Sequence, residues 1–170
     1  SDVILNKLRK QVTKLAVELN VIGLTNTQFA IKDNEIYLLE VNPRASRTAP
    51  FVSKSIGIQL AKVGALVMAG KELKSLKINR EVVPKYFAVK EAVLPFSKFP
   101  EVDVLLGPEM KSTGEVMGIG NSFGEAYFKA QRAAGVILPK TGNVFISVRD
   151  KDKEPVCDVA EELIKIGFNL

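Results

Sequence analysis

The run Tyr37-Leu38-Leu39-Glu40-Val41-Asn42-Pro43-Arg44-Ala45-Ser46-Arg47 sets a carboxylate, an amide oxygen and two guanidinium groups at the end of an apolar strand. These residue types suit one task, holding a divalent metal against a polyphosphate. Hard cations such as Mg²⁺ take oxygen ligands and share them with substrate phosphates. Arginine supplies a planar, permanently charged fork that matches phosphate or carboxylate oxygens. Alternate residues of a strand share a face, so Glu40 and Asn42 point the same way while Val41 turns into the apolar layer. Arg44 and Arg47 follow where Pro43 disturbs the strand and are expected to face the same ligand. On spacing alone the competing reading is plainer: strand-end polar groups and surface ion pairs of little energetic value.

The elements that must position these groups can be read around them. Residues 21–31 and 35–41 are strand-like, and Lys32-Asp33-Asn34 between them is turn chemistry, so a hairpin is expected. A turn at Asp33-Asn34 brings Gln28 beside Glu40. Gln28, Glu40 and Asn42 then form one oxygen-rich cluster on a sheet face, although a strand glutamine taken alone is ordinarily just solvated. Residues 2–19 have apolar positions Ile4, Leu5, Leu8, Val12, Leu15, Ala16 and Leu19 at helical spacing, with a solvated basic face. Residues 49–56 and 59–69 read as two helices broken at Gly57, the second ended by Gly70.

Composition narrows the chemistry further. The chain has 170 residues, 46% hydrophobic and 25% charged, which suits one globular domain or one domain and part of another. It has no histidine, which removes His triads, His general bases and His-ligated metals. A metal site must therefore be built from oxygens. The single cysteine, Cys157, excludes an internal disulfide; it reads as a small residue packed on a helix, and a cytoplasmic setting is expected. No apolar run reaches membrane-span length, and the first residues lack a secretory pattern. A net charge of +5 with dispersed lysines, 7% aromatics and no Trp argues against nucleic acid as a partner.

Farther along, residues 72–83 read as a polar loop with a little helix and 85–94 as a strand stopped by Pro95. Residues 96–108 form a turn-rich connection. Residues 111–119 contain a strand, with Gly118 and Gly120 expected in loop. Residues 123–134 form a helix opened by Ser122-Phe123-Gly124-Glu125, the spacing of a capping box, and closed by Gly135. The stretch from Pro139 to Gly142 looks like a boundary. A buried-type strand over 143–148, a helix over 152–166 with Pro155 in its first turn, and a strand beginning at Phe168 then make a new unit. The helix face is Val156, Val159, Ala160, Leu163 and Ile164. Such a unit cannot cover its own apolar surface, so a truncated second domain is expected. The fold class is α/β, with domains over 1–134 and 135–170.

Three blocks carry a family resemblance: the run from Gln28 through Arg47, which overlaps a longer match over Glu40 to Lys54, the segment Val89-Lys90-Glu91-Ala92-Val93-Leu94-Pro95-Phe96, and residues 105–118. The first resembles the metal and phosphate end of ATP-grasp enzymes. All three together resemble the large subunit of carbamoyl phosphate synthetases, a resemblance that extends over essentially the whole chain. The passage from Gly142 to Arg149 is similar to the start of that family's methylglyoxal-synthase-like regulatory domain. The chain is then the C-terminal part of the second ATP-grasp half, over 1–134, followed by the start of the regulatory domain.

That resemblance implies ATP-dependent phosphorylation of carbamate to carbamoyl phosphate, in the service of arginine and pyrimidine synthesis. It implies a glutaminase small subunit as partner of the intact enzyme. Gln28, Glu40 and Asn42 would be ligands of Mg²⁺ or Mn²⁺ on ATP, and Arg44 and Arg47 contacts to phosphate oxygens. Ser147 and Lys153 would meet a nucleotide effector, and Glu91 and Leu106 would lie near a second effector. Their plainer readings are a core-facing serine, an exposed helix-start lysine and a strand-exposed charge. The Gly-rich loop and adenine pocket of an ATP-grasp site are not recognisable before Gln28, so the fragment alone is expected to be inactive. The rivals are another ATP-grasp ligase such as a biotin carboxylase, and a non-catalytic nucleotide-effector-binding module.

Overall fold

The structure, a computed structural model, describes residues 1–78 and 81–170. Two compact units divide between Ala134 and Gly135. The larger opens with helix α1, Asp2–Glu18, whose Asp2 lies in the first turn where the helix dipole favours a negative charge. Ile4 is buried, and Leu8, Val12, Leu15 and Ala16 are half-buried along the same face, whereas Leu5 and Leu19 stay exposed. Strands β1, Asn26–Lys32, and β2, Glu35–Asn42, form an antiparallel hairpin. Asp33 and Asn34 both have positive φ, 52° and 65°. A two-residue turn with both centres left-handed matches the twist of the flanking strands, and Asp and Asn tolerate that backbone. The expected first strand loses residues 21–25, which precede β1 as a connection through Gly23 (φ 100°).

Helices α2, Thr48–Ile56, and α3, Leu60–Met68, follow. Gly57 supplies the left-handed break (φ 70°), and the Ser53 hydroxyl accepts the Leu60 N–H at 3.1 Å across it. α3 ends with Gly70 N–H to Val67 O and Lys71 N–H to Leu66 O, the paired bonds that let a glycine terminate a helix. A short 3₁₀ turn, Leu73–Leu76, lies in the expected polar stretch; residues 79 and 80 of that stretch lie outside the described residues. Among the described residues no single helix is long and apolar enough to cross a membrane; α2 and α3 reach that length and composition only as a pair bent by 112°.

Strand β3, Phe87–Val93, pairs antiparallel with β4, Gly114–Gly120, and helix α4, Phe123–Ala133, packs on one face of the pair. Gly118 and Gly120 are strand residues, not loop. A Cβ on Gly118 would stand 2.0 Å from Ala126 O, and one on Gly120 2.7 Å from Ala126 N. The glycines are there because the helix backbone lies directly on the strand. Ala126 and Ala130, the small residues facing them, are buried. Ser122 caps the helix by accepting the Glu125 N–H at 3.2 Å. The reciprocal bond of the expected box is displaced by one residue, since Glu125 Oε2 accepts from Asn121 N–H at 2.8 Å.

The second unit is a two-residue strand β5, Gly142–Asn143, a 3₁₀ turn at Asp150–Asp152, helix α5, Lys153–Lys165, and a two-residue strand β6, Phe168–Asn169, parallel to β5. Of the strand expected over 143–148, only Asn143 lies in β5, paired with Asn169 of β6. Val144 N–H still bonds Asn169 O at 2.7 Å. Val159 and Ile164, placed on the apolar face of α5, are exposed, Phe145 is 91% exposed, and Cys157 is exposed rather than packed. Nothing in the unit lies over those side chains, so the apolar pattern is real but unburied.

Gly118→Val should destabilise the first unit by about 3 kcal/mol or more, because backbone atoms cannot rotate away from an added side chain. Gly124→Ala, where a Cβ meets nothing within 4 Å, should stabilise it by about 0.5–1 kcal/mol; denaturant unfolding compares the two. The Glu125 carboxyl titrates below its ordinary range, chiefly through its hydrogen bond from Lys129 and then through the Asn121 N–H. A lowered folded-state pKa means its ionised form favours the fold. That contribution is complete above the ordinary glutamate range and is lost as pH falls through the lowered value. The stability gap between wild type and Glu125→Gln should therefore be open at pH 7 and close only in that acid range, as thermal unfolding against pH would read.

Candidate functional site

Hairpin register decides what the polar cluster contains. Gln28 pairs directly with Glu40 and Asn26 with Asn42, so all four share one face of the β1–β2 ladder. Between Gln28 and Phe29 the register slips, because Phe29 pairs with Leu38 and leaves Leu39 extra on β2. This bulge reverses the alternation beyond it. Under strict alternation Ile36 and Leu38 would share the face of Glu40. Instead they pair with Ile31 and Phe29 on the opposite side.

Asn42 is the hinge of the cluster. Its amide nitrogen donates to Glu40 Oε1 at 2.7 Å, and its amide oxygen accepts from Arg44 Nη2 at 3.1 Å. A carboxylate and a guanidinium thus fix the amide from opposite sides, each taking the end it can bond. The backbone is fixed as well. Asn42 O accepts the Arg44 N–H at 2.8 Å and the Thr25 hydroxyl at 3.1 Å, which locks the chain as it leaves β2. The donor set is all oxygen, with one carboxylate and side-chain amides. Among the described residues no group of three or more His, Cys, Asp or Glu comes together. A hard cation held here would need further oxygens from a phosphorylated ligand, which is the sharing that Mg²⁺ sites show. By residue type the set suits that ion on those terms, provided the Asn42 oxygen turns from Arg44 to the ion.

The two arginines go to different neighbours. Arg44 stays with the cluster, its Nη1 also donating to Ala45 O at 3.1 Å. Arg47, at the start of α2, donates from Nη1 to Met110 Sδ at 3.0 Å. It lines a cavity of about 590 Å³ with Lys54 of α2, Lys90 of β3, and Ser112 and Glu115 from the approach to and start of β4. Lys90 and Glu115 are diagonal neighbours on the sheet face that α4 leaves free, 3.4 Å apart. Three cations against one carboxylate make the cavity suited to an anion. Lys54, Lys90, Met110 and Glu115 escaped the reading of the sequence, as did Asn26. Asn26 had a findable signal, its period-2 spacing from Gln28. The cavity residues had none, since three separate segments build it.

The remaining candidates stand apart. Glu91 is half-buried on β3 opposite Val116, and Leu106 is 69% exposed in the loop before β4. In the second unit Ser147 is exposed rather than core-facing, and Lys153, the first residue of α5, pairs with Asp150 at 2.7 Å.

Residues 1–76 match the family model described as carbamoyl-phosphate synthase L chain, ATP binding domain. The whole chain is 58% identical over 170 residues to the carbamoyl phosphate synthase large chain of Vibrio parahaemolyticus, covering 16% of that protein. Over 97% of the chain it is 59% identical to that of Pseudomonas putida, covering 15% of it. Over its full length it is 56% identical to that of Neisseria meningitidis serogroup A, covering 16%. The chain thus spans about 16% of the length of the curated relatives it matches. With identity of 56–59% along essentially the whole chain, and with the whole β1–β2 cluster inside the residues that match the ATP-binding-domain model, the chain belongs to the carbamoyl phosphate synthase large-chain family.

Proposed function

We propose that the first unit is the C-terminal part of an ATP-grasp site that phosphorylates carbamate, and the second the start of a methylglyoxal-synthase-like regulatory domain. The observation that carries the reading is the cross-strand pair Gln28–Glu40, joined through Asn42 to Arg44. In the reaction a carbamate oxygen attacks the γ-phosphorus of ATP. A carbamate O–P bond forms, the bond to the β-phosphate oxygen breaks, and ADP leaves with carbamoyl phosphate as product. The nucleophile is already an anion, so no base is needed to activate it, in keeping with a chain that has no histidine.

Catalysis of this kind is positioning and charge stabilisation. Gln28, Glu40 and Asn42 would hold Mg²⁺ or Mn²⁺, which when bound supplies positive charge to the nucleotide's phosphate oxygens. Arg44 is kept on the same cluster by the Asn42 oxygen and meets the ligand's phosphate from that side. Arg47 meets it from the cavity, where Lys54 and Lys90 add positive potential. Neither arginine is paired with a carboxylate among the described residues, so both keep full charge for a phosphoryl group. Ser147 and Lys153 would contact a nucleotide effector in the regulatory part, and Glu91 and Leu106 a second effector. A glutaminase small subunit, a cytoplasmic setting, and service to arginine and pyrimidine synthesis complete the proposal.

In a full-length large chain carrying this sequence, Glu40→Ala and Arg47→Ala should each slow carbamoyl phosphate synthesis by about 10²–10³-fold, the usual cost of one transition-state charge contact. Coupled ADP release with ammonia and bicarbonate measures it, and a wild-type rate in either variant would sink the assignment. The 170-residue chain by itself should release ADP no faster than its own Glu40→Ala variant.

A further inference from the structure

We propose that Met110, held by a loop that Lys111 fastens, is the positioning residue that aims Arg47 into the cavity. The inference rests on the reading of Arg47 as a contact to the transferred phosphoryl group, and names what orients it. Arg47 has a long, mobile side chain whose recorded side-chain partner is a thioether sulfur, Met110 Sδ at 3.0 Å. Thioether sulfur is a weak, uncharged acceptor. It can orient a guanidinium without neutralising it, whereas a carboxylate at the same place would hold Arg47 more firmly and compete with an anionic ligand. The ion pairs among the described residues leave Arg47 out.

For a weak acceptor to orient anything, its own place must be fixed. Met110 is largely exposed, so packing does not fix it. The loop does. Lys111 Nζ donates to Asp103 O at 2.9 Å and to Leu105 O at 2.8 Å, and Asp103 Oδ1 accepts the Leu105 N–H at 2.9 Å. These bonds close residues 103–111 on themselves immediately beside Met110. Three residues on, Thr113 N–H bonds Val93 O at 2.9 Å and the β3–β4 ladder begins. Met110 is therefore caught between an ammonium clamp and a sheet, with its sulfur presented to the start of α2.

The test uses the full-length large chain and the reverse reaction, ATP formation from carbamoyl phosphate and MgADP. Met110→Leu keeps the side-chain volume and removes the acceptor. It should raise the KM for carbamoyl phosphate about three- to tenfold, the span of one lost hydrogen bond, and leave the KM for ADP unchanged. Met110→Gln, which restores an acceptor at similar reach, should recover most of that loss. Wild-type KM values in Met110→Leu, while Arg47→Ala is impaired, would overturn the proposal and leave the function standing. An equal rise in both KM values would also overturn it, as general structural damage. An Arg47→Ala variant that binds carbamoyl phosphate normally would remove the underlying reading and the proposal together. Should Met110→Leu not accumulate, Lys111→Met reads the same quantity, because opening the clamp releases the sulfur: a selective rise supports the proposal, and unchanged or equally raised values refute it.

Discussion

The pairing of Gln28 with Glu40 across the β1–β2 hairpin is the constraint on which the site depends. A one-residue slip of that register would carry the glutamine to the far face, away from Glu40 and Asn42. Two local features hold it. The left-handed pair Asp33-Asn34 sets the turn at one end, and the bulge at Leu39 absorbs one residue before the cluster. The bulge separates two demands on one strand. Below it, Ile36 and Leu38 pair with apolar partners; above it, Glu40 and Asn42 serve polar ones. A regular strand would have had to meet both demands with one alternation.

The charges around the cluster are arranged so that each stays available. Asn42 stands between Glu40 and Arg44 and bonds both, which keeps carboxylate and guanidinium ordered without joining them as an ion pair. Arg47 is ordered by sulfur rather than by oxygen. In the cavity Lys90 has a carboxylate neighbour in Glu115, while no such pair involves Lys54 among the described residues. A direct salt bridge at either arginine would lower the positive potential available to an anion.

Much of the fold was legible because it is written in local terms. The helical spacing after Asp2, the turn residues after Ile31, the Gly57 and Gly70 punctuation and the Ser122 cap each act over a few residues, and the structure contains all of them. The misreadings are of another kind. Gly118 and Gly120 look like loop residues until Ala126 and Ala130 are seen pressed against them, and that contact joins a strand to the helix after it. The strand pattern after Asn143 is clear in composition, yet the strand pairs only at Gly142 and Asn143, because a strand is defined by its partner and not by its own residues. Large apolar side chains such as Phe145 and Ile137 remain exposed for the related reason that patterning marks a face without supplying what covers it.

The site divides along the same line. Sequence by itself determined the oxygen-rich triad, the two arginines, the exclusion of histidine chemistry and the hairpin that brings Gln28 to Glu40, because alternation and turn chemistry are properties of neighbouring residues. Tertiary structure alone decided that the arginines part company, that Met110 meets Arg47, and that Lys54, Lys90 and Glu115 line one cavity. Those contacts join segments as far apart as residues 47 and 110, and no period or spacing within a segment encodes a distance to another.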